Sequence, residues 1–397
     1  MNTTNINDQF KKTIFTLVLV LLFFSTIEIL FRLTIVKTNN TSSFLGKYWY
    51  TLLPLELPDS TYLTQHNITH PDAYRIYDPM LGWKLASNRK APPYYYSSLE
   101  GFRITKEEFQ KKSITKKADY MTIGDSFTHG VAVYCEESWP YLFGELKQKK
   151  VVNYGIPGYG IDQAILSYMY SPVEADTIIL GIIPGDFERA TNIVYGGIYR
   201  GGNKSKPMFV FRDDGKYEIK NQPSLVGIDL WNEFKLGTNS NILRFEKSYD
   251  DLLFKKEFLD NLVTHKIYKM FKYRYKYINL PIYLKKYQDD NYIYILKILG
   301  VFFEECQKNQ DFPIILLLDN KNTFADRINY TNPWGNVIND LKEMGFFVVD
   351  PLESIVEMYT NDPKSIINND GMHYTPLANK MIADHLLENI DQMKNSK

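Results

Sequence analysis

Five short hydrophobic runs divide the carboxyl-terminal two thirds of the chain, and none of them alternates with polar positions. They lie at 120–123, 151–154, 177–183, 313–318 and 346–349. Runs that are apolar at every position are typical of strands buried on both faces of a parallel sheet. The pattern therefore predicts a mostly parallel sheet of five strands.

Stretches with helical patterning lie between most of these runs, at 137–148, 161–170, 291–309, 333–344 and 352–360. A last helix is predicted to start at Pro376, because proline suits the first helical position and Thr375 before it is a good N-cap. Strands that alternate with helices indicate a sheet covered on both faces. We expect an α/β fold of three layers, α/β/α.

The amino terminus carries a separate apolar segment. Residues 13–27 contain no charge, and the apolar character continues to residue 36, interrupted by Glu28 and Arg32. Helix over 13–36 would span about 36 Å, enough to cross a bilayer. A cleaved signal peptide is the alternative, but no small-x-small cleavage motif follows and the run is long for such a peptide. We expect an uncleaved, single-pass anchor in the cytoplasmic membrane, with the globular part outside the cytoplasm (periplasmic).

These segments define the expected domain organisation: a cytoplasmic tail at 1–12, the anchor at 13–36, a stalk at 37–73 and the α/β/α domain at 74–397. Residues 190–290 interrupt the strand–helix order and are interpreted as a large insertion. Its stretch 265–287 is basic and aromatic. Such a stretch has three interpretations. It can contact anionic lipid head groups, it can contact a sugar polymer, or it is a solvated helix face without a binding role.

Composition excludes several classes of function. The 46 basic and 46 acidic residues cancel, so nothing favours a nucleic-acid partner. Two cysteines, Cys135 and Cys306, cannot form a metal cluster, and the histidines show no metal-ligand spacing. The segment GIPGYG lacks the dinucleotide spacing, and no P-loop occurs. We therefore expect no metal and no cofactor, and we interpret His129 as an ordinary loop histidine.

Chemistry-bearing residues follow the predicted strands, where the carboxyl ends of a parallel sheet gather reactive groups. Ser126 lies in a glycine-containing turn after the first run. A serine hydroxyl needs a base before it can act as a nucleophile, and His373 can supply one. Asp370 stands three residues before His373 and can hold its other ring nitrogen. Serine hydrolases use this chain order of Ser, Asp and His.

Together these motifs resemble the SGNH/GDSL hydrolase family. The matching segments are GDSF at 124–127, NYGIPGYG at 153–160, LGIIPGDF at 180–187 and DGMH at 370–373. The resemblance extends over roughly residues 74–390, apart from much of the insertion. The sequence that flanks the motifs is similar to a membrane-anchored bacterial branch of that family. It implies a flavodoxin-like sandwich that hydrolyses esters or transfers acyl groups.

The resemblance also implies residue roles. Ser126 would be the nucleophile, His373 the base and Asp370 the group that orients the base. The backbone N–H groups of Ser126 and Gly158 would hold the oxyanion. Asp125 would support the nucleophile turn through hydrogen bonds.

One position departs from the family pattern. The third block normally has an asparagine before its aspartate, and here Gly185 precedes Asp186. The change removes a side-chain donor to the oxyanion, and one such donor is worth about 10²–10³ in rate. Asn192, Arg189 or the N–H of Gly185 are the candidates to replace it. Asp186 itself is expected to support the third loop.

These features lead to one enzymatic hypothesis and one rival. The first is a membrane-anchored, extracytoplasmic serine esterase that cleaves acyl esters, in particular acetyl esters of envelope saccharides, through an acyl-serine. A lipid ester is the alternative substrate. The same triad could instead serve an O-acyltransferase, which leaves room for a membrane acyl-export partner. The rival, motivated by Gly185, is a catalytically silent glycan-binding module.

Overall fold

The computed structural model describes residues 3–37, 42–47, 50–55, 73–195, 204–246, 249–277, 290–329 and 334–395. Its strands are β1 (Ile35–Lys37), β2 (Ser42–Phe44), β3 (Arg75–Asp78), β4 (Gly82–Leu85), β5 (Lys90–Ala91), β6 (Tyr95–Ser97), β7 (Arg103–Ile104), β8 (Lys117–Gly124), β9 (Val151–Gly155), β10 (Glu174–Ile182), β11 (Met208–Phe211), β12 (Tyr217–Lys220), β13 (Phe312–Leu317) and β14 (Phe347–Val349). Its α-helices are α1 (Thr3–Leu33), α2 (Lys106–Lys111), α3 (Ser126–His129), α4 (Trp139–Lys147), α5 (Ile161–Met169), α6 (Pro184–Ala190), α7 (Gly227–Leu236), α8 (Val263–Tyr277), α9 (Asp290–Asn309), α10 (Lys321–Asn329), α11 (Gly335–Glu343), α12 (Leu352–Asn361), α13 (Pro363–Ile366) and α14 (Pro376–Asn395).

A central sheet organises the domain, with strand order β14-β13-β10-β8-β9-β7-β6-β5. The first five of these strands are parallel and coincide with the five hydrophobic runs, so that prediction is confirmed. Numbered along the chain, the parallel strands run 2-1-3-4-5 across the sheet, which is the flavodoxin-like order. Strands β7, β6 and β5 extend the sheet in antiparallel fashion. They were not predicted, because two or three residues are too few to establish a hydrophobic period.

The sheet is covered on both faces. Strand β9 lies on one side of β8 and β10 on the other, so right-handed crossovers place α4 and α5 on opposite faces. Helix α14 packs on α4, and α9 packs on α5. The middle strands are accordingly buried along their length, as Met121, Ile179 and Ile315 illustrate. The predicted start of α14 is also confirmed, since the Thr375 hydroxyl accepts a hydrogen bond from the N–H of Ala378 at 3.2 Å.

The insertion contains the antiparallel hairpin β11–β12, helix α7, several short 3₁₀ turns and helix α8. The last part of the basic stretch, 278–287, lies outside the described residues. The expected stalk is described only in part. In that part β2 pairs with β1, and Leu53 and Leu55 are buried in the core.

Helix α1 includes Asp8–Leu33, which is long and apolar enough to cross a membrane. Near its carboxyl end, Glu28 and Arg32 pair at 2.9 Å. Both also reach the insertion. The Glu28 carboxylate accepts hydrogen bonds from the N–H groups of Val263 (2.7 Å) and Thr264 (3.0 Å), and Arg32 donates to the Asn261 carbonyl (2.9 Å). Glu28 thus caps the start of α8 from a different helix.

Candidate functional site

Ser126 is the first residue of α3, directly after the carboxyl end of β8. Asp125 is the N-cap, and its carboxylate accepts the N–H of Phe127 at 2.8 Å. The N–H of Ser126 lies in the first turn of the helix, where backbone donors have no partner within the helix. The Ser126 hydroxyl donates to Asp125 Oδ2 over a long 3.3 Å.

The loop before α14 holds His373 against Asp370. His373 Nδ1 lies 2.6 Å from Asp370 Oδ2, and the N–H groups of His373 and Met372 donate to Oδ1 at 3.0 and 2.9 Å. Burial alone would raise the pKa of Asp370, but these hydrogen bonds outweigh it and hold that pKa below its ordinary value. An ionised Asp370 can only accept a hydrogen bond, so His373 Nδ1 carries the proton in this contact and Nε2 points away from Asp370.

The serine and histidine loops are in contact. The ring of Phe127, next to Ser126, lies 5.1 Å from the His373 ring between centroids. Asn368 Nδ2 also donates to the Ala132 carbonyl at 3.0 Å, which joins the two loops a second time. Among the described residues no hydrogen bond connects the Ser126 hydroxyl to His373, and the buried Nε2 of His373 has no partner.

Gly158 follows β9 in the second loop and adopts a left-handed backbone, with φ of +87°. The ring of Tyr195 covers its Cα so closely that a Cβ at this position would lie 2.7 Å from Tyr195 Cε2. The preceding carbonyl, of Pro157, accepts from Arg75 Nη1 and from Trp83 Nε1, each at 3.2 Å. Within the described chain the N–H of Gly158 makes no hydrogen bond.

Arg189 connects the first three loops of the site. Its Nη1 lies 2.8 Å from Asp125 Oδ2, 2.7 Å from Asp186 Oδ1 and 3.0 Å from the Tyr159 carbonyl oxygen. Both carboxylates are buried. Burial and the charge of Asp125 raise the pKa of Asp186 well above its ordinary value, although Arg189 opposes the shift. The expected supporting residues therefore meet at one guanidinium, which motif spacing did not reveal.

Gly185 lies at the start of α6, where its backbone has no positive φ. A Cβ at this position would meet nothing closer than Ile183 Cδ1 at 3.5 Å and Arg189 Nη2 at 4.0 Å. The outer nitrogen of Arg189 thus lies within reach of the space that an asparagine side chain would enter. Asn192 is committed elsewhere, because its Nδ2 donates to the Glu188 carbonyl at 2.9 Å.

His129, interpreted above as an ordinary loop histidine, is the last residue of α3 and is buried. Its Nδ1 lies 2.8 Å from the Gly155 carbonyl oxygen, which ties α3 to the end of β9. Burial and the charge of Arg103 lower its pKa well below the usual range, so the ring is neutral. Arg103 is buried too, and it donates to the carbonyls of Gly130 (2.5 Å) and Val133 (2.7 Å).

A cavity of ≈ 570 Å³ lies beside the second loop, lined by Tyr74, Arg75, Trp83, Tyr95, His129, Pro157 and Lys204 among others. The Lys204 ammonium lies 4.2 Å from the ring centroids of both Trp83 and Tyr195. Burial, with a smaller effect of the Arg75 charge, lowers the pKa of Lys204 to about 7. The cavity therefore combines aromatic rings with two cationic side chains and has no carboxylate in its described lining.

One group of potential metal ligands lies far from this site in the chain. Oxygen and nitrogen atoms of Glu257, Asp260 and His265 all lie within 4.8 Å of one another. The buried ammonium of Lys269 already occupies the group, at 2.8 Å from Asp260 and 3.2 Å from Glu257. The cluster is an internal ion-pair network.

Several solved structures are similar to this chain. A member of the lipolytic protein G-D-S-L family from Veillonella parvula DSM 2008 has 12% sequence identity and a TM-score of 0.32, over 69% of this chain and 97% of that one. Axe2, an acetylxylan esterase from Geobacillus stearothermophilus, has 14% identity and a TM-score of 0.34, over 69% and 94%. The psychrotrophic esterase EstA from Pseudoalteromonas sp. has 10% identity and a TM-score of 0.32, over 70% and 99%. No protein-family model and no curated protein matches the chain.

The two glycines of the site should differ sharply in their tolerance of a methyl group. Gly158→Ala places a Cβ against Tyr195 and forces an L-residue into a left-handed conformation, at a cost of about 1–3 kcal/mol. Gly185→Ala makes only ordinary van der Waals contacts, in a helix where alanine is favoured. Thermal unfolding of the full-length protein in detergent should show a lowered midpoint for the first variant alone. Equal midpoints would contradict the described conformation of the second loop.

Proposed function

We propose that the chain is an esterase of the SGNH/GDSL family that cleaves acyl esters through an acyl-serine. The observation that carries the proposal is the contact between the loop of Ser126 and the loop of His373. Asp370 holds Nδ1 of the histidine at 2.6 Å, and Nε2 is buried without a partner. Such an imidazole is ready to accept a proton from a neighbouring hydroxyl.

The proposed reaction has two halves. The Ser126 hydroxyl turns from Asp125 towards His373, gives its proton to Nε2 and attacks the ester carbonyl. The tetrahedral oxyanion is held by the N–H groups of Ser126 and Gly158, both unbonded in the described structure. His373 then protonates the leaving alcohol, and acyl-Ser126 remains. Water, deprotonated by the same histidine, then attacks the acyl carbon. The bond from Ser126 Oγ to the acyl carbon breaks, the histidine returns the proton to Ser126, and the carboxylic acid leaves.

Arg189 is proposed as the third oxyanion donor, in place of the asparagine that Gly185 replaces. Its Nη1 is fixed by Asp125, Asp186 and Tyr159, while Nη2 lies 4.0 Å from the position of a Cβ on Gly185. Burial opposes its charge, but the two carboxylates raise its pKa further, so it stays cationic. A fixed positive donor stabilises a developing negative charge without reorganisation.

The cavity beside the second loop is proposed to bind a saccharide part of the substrate. The rings of Tyr74 and Tyr95 are partly exposed and line the cavity, where they can contact a sugar ring. Arg75 and Lys204 add positive charge with no carboxylate in the described lining, which favours a saccharide that carries an acidic group. The substrate would then be an acylated acidic glycan of the cell envelope.

The anchor is proposed to remain on the mature protein, with the domain outside the cytoplasm. Glu28 and Arg32 make hydrogen bonds to the insertion, and removal of a signal peptide would break these contacts.

An O-acyltransferase differs from an esterase only in the acceptor, a sugar hydroxyl instead of water. The long hydrogen bond of Ser126 to Asp125 and the presence of Gly185 are the observations that favour the silent glycan-binding alternative.

Ser126→Ala and His373→Ala should each lower the turnover of p-nitrophenyl acetate by about 10⁴-fold or more, because nucleophile and base act as a unit. Ser113→Ala, at an exposed serine, is the matched control and should retain full turnover. Circular dichroism checks that each variant is folded. Full turnover in folded Ser126→Ala would exclude this serine as the nucleophile, and inactive wild type would favour the silent alternative.

Arg189→Gln should lower kcat by about 10²–10³, since one oxyanion donor is lost. The same change weakens the contact between the loops, so a second variant separates the two roles. Adding Gly185→Asn to Arg189→Gln supplies an amide donor at an open position and should recover part of kcat. A double variant no faster than Arg189→Gln would restrict Arg189 to holding the loops together.

Lys204 should make the KM for an acidic glycan depend on pH. Its pKa of about 7 means that the ammonium is present below that pH and is lost above it. The side chain faces Arg75 and the rings of Trp83 and Tyr195. The KM for acetylated oligogalacturonate should therefore rise as the pH passes through about 7, whereas that for acetylated cello-oligosaccharide should not. Lys204→Met should abolish the difference, and an unchanged pH profile in this variant would refute the role of Lys204.

A further inference from the structure

An exposed aromatic stripe runs along helix α8. Tyr268, Phe271 and Tyr275 are spaced three and four residues apart, which places them on one side of the helix. They are exposed, Tyr275 to 80% and Phe271 to 49%, whereas Ile267 and Met270 on the other side are buried in the core. An apolar side that is largely exposed on an otherwise well-packed helix indicates an interaction surface.

The turn that leads into α8 is exposed and apolar as well. Phe258 is 88% exposed, and Leu259 and Leu262 are also open to solvent. Lys255 and Lys256 directly precede this turn and are exposed. We call the six apolar and aromatic side chains the membrane face: Phe258, Leu259, Leu262, Tyr268, Phe271 and Tyr275.

The start of α8 is fixed at a defined level of helix α1. Glu28 caps α8 through Val263 and Thr264, and Arg32 holds the Asn261 carbonyl. Glu28 stands five residues before the end of the apolar segment at Leu33, which corresponds to about 7.5 Å along the helix axis. The turn with Phe258 and Leu262 therefore lies beside the last turns of the span. Interfacial helices bury their apolar side about 5–10 Å into the boundary between head groups and acyl chains.

A row of aromatic rings makes this connection rigid. Phe31 of α1 lies 6.0 Å from Phe44, Phe44 lies 6.3 Å from Tyr50, and Tyr50 lies 6.1 Å from Phe271, all between ring centroids. Glu28 and Arg32 contribute polar contacts at the same junction. The orientation of α8 relative to the span is therefore held by two independent sets of contacts.

From this geometry we propose that the membrane face lies in the outer leaflet beside α1, with Lys255, Lys256 and the exposed Lys272 at the level of anionic lipid phosphates. Tyrosine and phenylalanine suit this interface, and basic residues add attraction to anionic lipid. The inference rests on the proposed anchoring of α1. It implies that the domain lies on the bilayer in one orientation instead of moving freely on a tether.

Environment-sensitive fluorescence on the full-length protein tests the inference. Single cysteines at Phe258→Cys, Leu22→Cys and Ile114→Cys are labelled with the NBD fluorophore; the two native cysteines are buried. Leu22 lies within α1 and reports insertion, and the exposed Ile114 lies before β8 and serves as the control. In phosphatidylcholine–phosphatidylglycerol vesicles, the labels at 258 and 22 should shift to the blue and resist quenching by iodide, whereas the label at 114 should do neither.

The possible outcomes are distinct. A label at 258 that is as accessible to iodide as the one at 114, while 22 is protected, overturns the inference and leaves the anchor intact. Accessible labels at both 258 and 22 overturn the anchor and the inference together. The signal needs no turnover, so a failed esterase assay does not affect it. Lys255→Gln with Lys256→Gln should reduce the dependence of the shift at 258 on phosphatidylglycerol, and an unchanged dependence refutes the contact of these lysines with lipid.

Discussion

The rest of the site depends on the hydrogen bonds that the guanidinium of Arg189 makes. One nitrogen joins Asp125, Asp186 and the Tyr159 carbonyl, and these residues follow three neighbouring strands of the sheet. Two carboxylates are buried there, and buried charges are costly unless they are paired. Loss of one partner of such a pair typically costs about 3–5 kcal/mol. The parallel sheet brings the loops near each other, and Arg189 sets their mutual position.

The fourth loop reaches this edge by a different route. The Tyr374 hydroxyl donates to the Asp319 carbonyl at 2.6 Å and accepts the N–H of Asp319 at 2.9 Å, just beyond the end of β13. Phe127 then packs on both Tyr374 and His373, with ring centroids 4.9 and 5.1 Å apart. The histidine loop is therefore held by the sheet through Tyr374 and by the serine helix through Phe127. This arrangement supports a triad assembled from distant parts of the chain.

The sequence predicted the central strands well but not the contacts between distant elements. The five parallel strands were found because burial on both faces makes most positions apolar, which leaves a local signal. The short antiparallel strands left no such signal. The hydrogen bonds by which Arg103 and Arg189 hold the loops together could not be predicted from sequence, because their partners lie on other elements and follow no period. The role of Lys204 depends on burial between two rings, which only the packing of Trp83 and Tyr195 reveals.

The central claim, that Ser126 carries the acyl group, is tested most directly by mass spectrometry of the enzyme during turnover. Full-length protein is mixed with p-nitrophenyl acetate, quenched in acid and digested with trypsin, and the peptide that contains Ser126 is sequenced. We expect one acetyl group on Ser126 in the wild type and none on this peptide in Ser126→Ala. Two results during turnover would contradict the role of Ser126 as carrier of the acyl group. One is an acetyl group on another residue, and the other is no acetyl group on this peptide at any quench time.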